Sequence, residues 1–75
     1  MHDARDWITE RRRELGDRIA DLRPAAHYTQ ERFAEATGLS RSHLQHIQSG
    51  QADARYSNLL RIAAILGTPM SDLTR

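Results

Sequence analysis

Apolar residues recur along this chain at spacings of three, four and seven, and no stretch alternates with period two. That pattern predicts helices throughout, the more so because β-branched residues are sparse and valine is absent. The first predicted helix runs from about Asp6 to Leu22. Asp3 or Asp6 is the candidate cap, and Ile8, Leu15, Ile19 and Leu22 form the apolar face. Glu14 and Arg18 stand four apart as a favourable pair on the wet face. Pro24 disfavours helical geometry at Arg23, so the helix is expected to stop there.

Thr29 opens a second helix, its side-chain oxygen suited to accept from an unpaired amide of the first turn. Phe33 and Ala34 face inward. Gly38 closes the element, because glycine takes the left-handed conformation that ends a helix sharply. Leu39 points back to the core, and Ser40 caps a third helix from Arg41 to about Ser49, with Leu44 and Ile47 on its buried side. Gly50 ends it, and residues 51–55 form a polar loop. The fourth helix, near Ser57–Leu66, is the most apolar: Leu59, Leu60, Ile62, Ala63, Ile65 and Leu66. Beyond Gly67, Thr68 and Pro69 read as N-cap and first helical residue of a terminal turn carrying Met70 and Leu73.

Seventy-five residues make one small domain, with a core that is marginal unless well packed or shared with a second copy. Without cysteine, neither disulfides nor thiolate metal sites contribute. No apolar run approaches a membrane span and the N-terminus has no signal-type stretch, so a cytoplasmic protein is expected. All eleven basic residues are arginine, and the net charge is only +1. The charge is uneven. Residues 1–22 hold six acids and five arginines, whereas residues 36–71 hold one acid, Asp53, against Arg41, Arg55 and Arg61.

The stretch from Thr29 to Ile47 carries the functional signal. Two short helices flank a Gly38-Leu39-Ser40 turn, with Ala34 allowing close approach and Leu44 and Ile47 burying the second helix's inner face. This is the spacing by which a helix-turn-helix holds its second helix outward for the major groove of DNA. Arg41 stands in the first turn of that helix, where a guanidinium gives two parallel hydrogen bonds to guanine. Thr29 and Gln30 begin a helix whose free amides and positive dipole end suit a phosphate.

Here the chain resembles the phage repressor/Cro-like, or XRE-type, helix-turn-helix family. The resemblance runs through Leu15-Gly16, Ile19, Leu22-Arg23, Thr29-Gln30, Phe33-Ala34, Gly38-Leu39-Ser40, Leu44, Ile47, Gly50, Leu59, Ile62-Ala63 and Leu66. It implies an all-α, lambda-repressor-like bundle of four to five helices over residues 15–75, with residues 1–14 as an N-terminal helical extension. It also implies a bacterial or phage transcriptional regulator, a repressor or controller, that binds a palindromic operator in double-stranded DNA as a homodimer. The family's base-reading positions fall on Arg41, Ser42 and His46, with Gln45 a phosphate or neighbouring-base contact. Its phosphate-holding positions fall on Thr29, Gln30, Ser49, Gln51 and Arg55. Arg23 matches a basic position that many members pair with glutamate. Gln48 is neutral here, which leaves Arg23 to contact phosphate or to hydrogen-bond the Gln48 amide.

Blander readings stand beside these. Arg41 and His46 also suit an ordinary solvated helix face. Trp7 and Ile8 belong either to the core or to a dimer surface, and Met70 and Leu73, with Leu60 or Ile65, are candidates for a dimer patch at the C-terminal end. His43 and His46 are too few ligands for a metal, and no cofactor is implied. No paired carboxylates, Gly-rich phosphate loop or catalytic triad supports an enzyme. The rival reading is a protein-interaction module, antitoxin-like, on the same scaffold with DNA secondary. Low net charge and the neutral Gln51-Ala52 loop keep that rival open.

Overall fold

The computed structural model describes residues 4–75, with side chains from Trp7 onward. Five helices follow one another: α1 (Ala4–Ala25), α2 (Gln30–Thr37), α3 (Arg41–Gln48), α4 (Tyr56–Leu66) and α5 (Met70–Thr74). No strand occurs among the described residues. One core holds them together, built from Ile19 of α1, Phe33 of α2, Leu44 and Ile47 of α3, Ile62 and Ala63 of α4, and Leu73 of α5. Fully burying each large member contributes about 1.5–3 kcal/mol, so all five helices are tied to one centre.

Helix α1 departs from the sequence expectation at both ends. It already includes Asp6, which therefore does not cap it, while Asp3 lies outside the described residues. At the other end α1 continues through Pro24 to Ala25. Pro24 removes only the ladder bond its own N–H would make, and beyond it two amides close the helix end. The His27 amide donates to the Pro24 carbonyl at 2.9 Å, and the Tyr28 amide donates to the Arg23 carbonyl at 3.1 Å. His27 itself adopts φ 66°, so the two bonds form a left-handed helix stop without glycine. The expected Glu14–Arg18 pair is absent. Glu14 instead lies 3.7 Å from Arg11, and the Arg18 guanidinium donates to the Leu73 carbonyl at 3.3 Å, drawing α5 onto α1.

The short helices follow their local signals closely. Thr29 Oγ1 accepts from the Arg32 amide at 3.1 Å, and Ser40 Oγ from the His43 amide at 3.0 Å. Gly38 ends α2 at φ 75°, its amide donating to Ala34. Buried Thr37 donates its hydroxyl to the Phe33 carbonyl at 2.8 Å, so its own polar atom is satisfied. One expectation needs correcting. Pro69, with φ −61° and ψ 146°, is itself the N-cap of α5, and Thr68 stands one residue outside. The residue before a proline is pushed toward extended geometry, and here the proline is extended too, so the helix begins at Met70.

Gly16 sets the position of α3. A Cβ there would collide with the main-chain oxygens of Gln48 and Ile47, the latter only 2.6 Å away. Glycine inside a helix costs about 1 kcal/mol relative to alanine. Here it lets the end of α3 rest directly on the α1 backbone.

Candidate nucleic-acid interface

With Leu44 and Ile47 buried and its last turn lying on Gly16, α3 has one face left for solvent. Arg41, Ser42, Gln45, His46 and Ser49 are all exposed. At 100° per residue they span roughly 140° of the helix circumference, opposite the two core residues. Every residue assigned to base reading thus lies on one accessible face. Ser40 caps α3 by accepting from the His43 amide, and the positive end of the helix stands next to Arg41.

The flanks of that face differ in how firmly their polar groups are held. On the α2 side, Thr29 is exposed and Gln30 half-buried. The first amides of a helix have no intrahelical acceptor, and Thr29 Oγ1 takes that of Arg32. On the far side, Gln51 and Arg55 are exposed in a loop held by Gln51 and Ala52 amides donating to the His46 carbonyl at 2.8 and 3.1 Å. The loop's single acid, Asp53, lies 3.3 Å from the Arg12 guanidinium of α1.

Behind the face, the neutral residue at position 48 has its own partner. Gln30 and Gln48 exchange side-chain amide hydrogen bonds of 3.3 and 3.1 Å, and Gln48 Nε2 also donates to the Leu44 carbonyl at 3.2 Å. The Gln48 amide is therefore not bonded to Arg23, contrary to one of the two expectations for that residue. Arg23 Nη1 donates instead to the Tyr28 carbonyl at 2.7 Å, while its Nε is buried without a partner. The effect is to tie the end of α1 to the residue that precedes the Thr29 cap.

One contact escaped sequence reasoning. Glu31 Oε1 lies 3.3 Å from Arg41 Nη1, joining the first turns of α2 and α3. A helix-turn-helix brings those two turns together, so opposite charges at Glu31 and Arg41 were the available signal.

The dimer candidates separate. Leu73 is fully buried in the monomer core, which corrects its placement on a surface patch: five-helix closure uses it internally. Met70 is half-buried against the core. Trp7 is exposed at 56% and Ile8 at 43%. With Leu15, Arg11, Arg12 and Thr74 they line an apolar groove of about 310 Å³.

A bundle with a capped two-helix reader and a free recognition face defines the helix-turn-helix class of DNA-binding regulators. A family model described as a helix-turn-helix domain matches residues 14–75, and the chain belongs to that family, of the phage repressor/Cro-like type. It is a DNA-binding transcriptional regulator, and the family points to a non-enzymatic role. Among solved structures, the restriction-modification controller protein C.AhdI from Aeromonas hydrophila is similar, with a TM-score of 0.78 and 31% identity. The match covers 83% of this chain and 94% of that one. No curated protein sequence matches the chain significantly.

Proposed function

We propose that this protein represses or controls transcription by binding a palindromic operator as a homodimer in the bacterial cytoplasm, with residues 15–75 as the reader and residues 1–14 as an extension of α1. The supporting observation is the single exposed face of α3 that carries Arg41, Ser42, Gln45 and His46. In this reading those four meet base edges. Thr29, Gln30, Ser49, Gln51, Arg55 and Arg23 meet phosphate, although Arg23 and Gln30 must do so beside their internal bonds. Two copies would set their recognition helices about 34 Å apart, in successive major grooves. Likeness to a restriction-modification controller protein favours a role as a controller.

The test is fluorescence anisotropy with the DNA upstream of the protein's own gene, against scrambled DNA, at two salt concentrations. A regulator reading its operator binds the native duplex preferentially and loses affinity with salt at a slope of about −0.9 per phosphate contacted. Arg41→Ala should remove preference at one base pair per half-site, about 1–3 kcal/mol, with the fold intact. An equal fall on matched and mismatched duplexes would reduce Arg41 to a phosphate contact.

The groove at Trp7 and Ile8 favours a second reading, a module that recruits a protein partner through α1. Weak, salt-insensitive and sequence-indifferent binding in the same titration would favour it.

A further inference from the structure

The ion pair between Arg41 and Glu31 joins two exposed side chains, 55% and 76% accessible. Such a pair contributes little to folding, because both ions remain solvated. Its location is the informative feature. Glu31 stands in the first turn of α2, beside the amides assigned to phosphate, where a carboxylate opposes DNA unless its charge is neutralised. Arg41 neutralises it through Nη1 alone. A guanidinium has five donors in a planar fork, so occupying Nη1 leaves Nε and Nη2 as a complete two-donor edge. That edge matches guanine O6 and N7. A long side chain held before binding also loses less rotamer freedom when it reaches the base.

We propose that Glu31 is a positioning residue for base reading: its carboxylate holds Arg41 by Nη1 and leaves the Nε–Nη2 edge for a guanine in the major groove. The proposal rests on Arg41 being a base contact, and it adds a specificity determinant on the other helix of the motif.

A pool of duplexes with a randomised core, incubated with the full chain and sequenced from the bound fraction, tests both layers. The proteins are wild type, Glu31→Gln, Glu31→Asp, Arg41→Ala and the double variant Glu31→Gln/Arg41→Ala. Wild type should enrich guanine at one position per half-site, and Arg41→Ala should lose that enrichment. Glu31→Gln should weaken it about threefold or more at that position alone, with other positions, the thermal midpoint and the salt slope unchanged. Glu31→Asp keeps the charge but shortens the reach, and should weaken it likewise. The double variant should match Arg41→Ala.

Several results would overturn the inference while sparing the reading of Arg41. Uniformly tighter binding of Glu31→Gln to all sequences, with Glu31→Asp like wild type, would make the carboxylate a mere repulsion. A base preference that Glu31→Gln still alters without Arg41 would make Glu31 a reader itself, accepting from cytosine. Unchanged enrichment in Glu31→Gln would leave Arg41 unassisted. If Arg41→Ala kept the wild-type pattern, the reading of Arg41 would fall and this inference with it.

Discussion

The helix-turn-helix and the first three turns of α1 are both helical and both rich in charge, yet they are held in different ways. In α2 and α3 each N-terminus is capped by its own side chain, the turn between them is a glycine at φ 75°, and Phe33, Leu44 and Ile47 reach the common core. Between Trp7 and Glu14, by contrast, the two large apolar side chains lie at the surface, Trp7 at 56% and Ile8 at 43% exposure. That segment is anchored by arginines: Arg11 donates to the Thr74 carbonyl at 3.2 Å, and Arg12 lies 3.3 Å from Asp53. Exposed polar contacts of this kind are individually weak, whereas buried leucine and isoleucine are not. A reader that must hold side chains in register against DNA is built on the core. The segment from Trp7 to Glu14 adds to that core mainly through polar contacts and through the close approach of Arg13 to Gly50.

The largest effect should come from the reader's buried side. Leu44→Ala removes a fully buried side chain shared by α3 and the core, and should cost about 2–5 kcal/mol in thermal or urea unfolding. An unchanged melting temperature would mean that α3 does not depend on the core and the contrast is false. Next comes the point where the two regions meet. Gly16→Ala places a methyl against the Ile47 and Gln48 carbonyls, which must move, and about 1–3 kcal/mol of destabilisation is expected. DNA affinity should fall with it, since the same backbone contact sets the angle of α3. Stability and affinity both preserved would show that α3 tolerates another seat.

At the small end, Trp7→Ala should change monomer stability by only about 0.5 kcal/mol. The sharper observable is oligomeric state by sedimentation. Dissociation to monomers in this variant would assign the groove to the homodimer, and an unaltered profile would leave it for another occupant.

Much of the reader was legible in the sequence because its signals act over a few residues. Thr29 and Ser40 cap a helix through a side-chain oxygen, Gly38, Gly50 and Gly67 end one through a positive φ, and each stands where its residue type predicts. Leu44 and Ile47 settle which side of α3 is buried, and Arg41, Ser42, Gln45 and His46, the positions implied by the family resemblance, fall on the opposite face. The end of α1 was misread because its stop uses His27 in a left-handed conformation, and histidine carries no such signal on paper. Pro24 was conspicuous, yet the helix runs through it to Ala25 and closes on the amides of His27 and Tyr28.

By itself, then, the sequence determined the helical class, the extents of α2 and α3, the turn between them and which side of α3 is left exposed. These depend on torsional preference, caps and apolar period, all of which are written in neighbouring positions. Only the tertiary structure decided that Leu73 closes the core, that Gly16 seats α3, that Gln48 bonds Gln30 while Arg23 turns to Tyr28, and that Glu31 reaches Arg41. Each of these joins residues on different helices or across a turn. Such partnerships follow from how the helices cross, and crossing is set by the whole core at once.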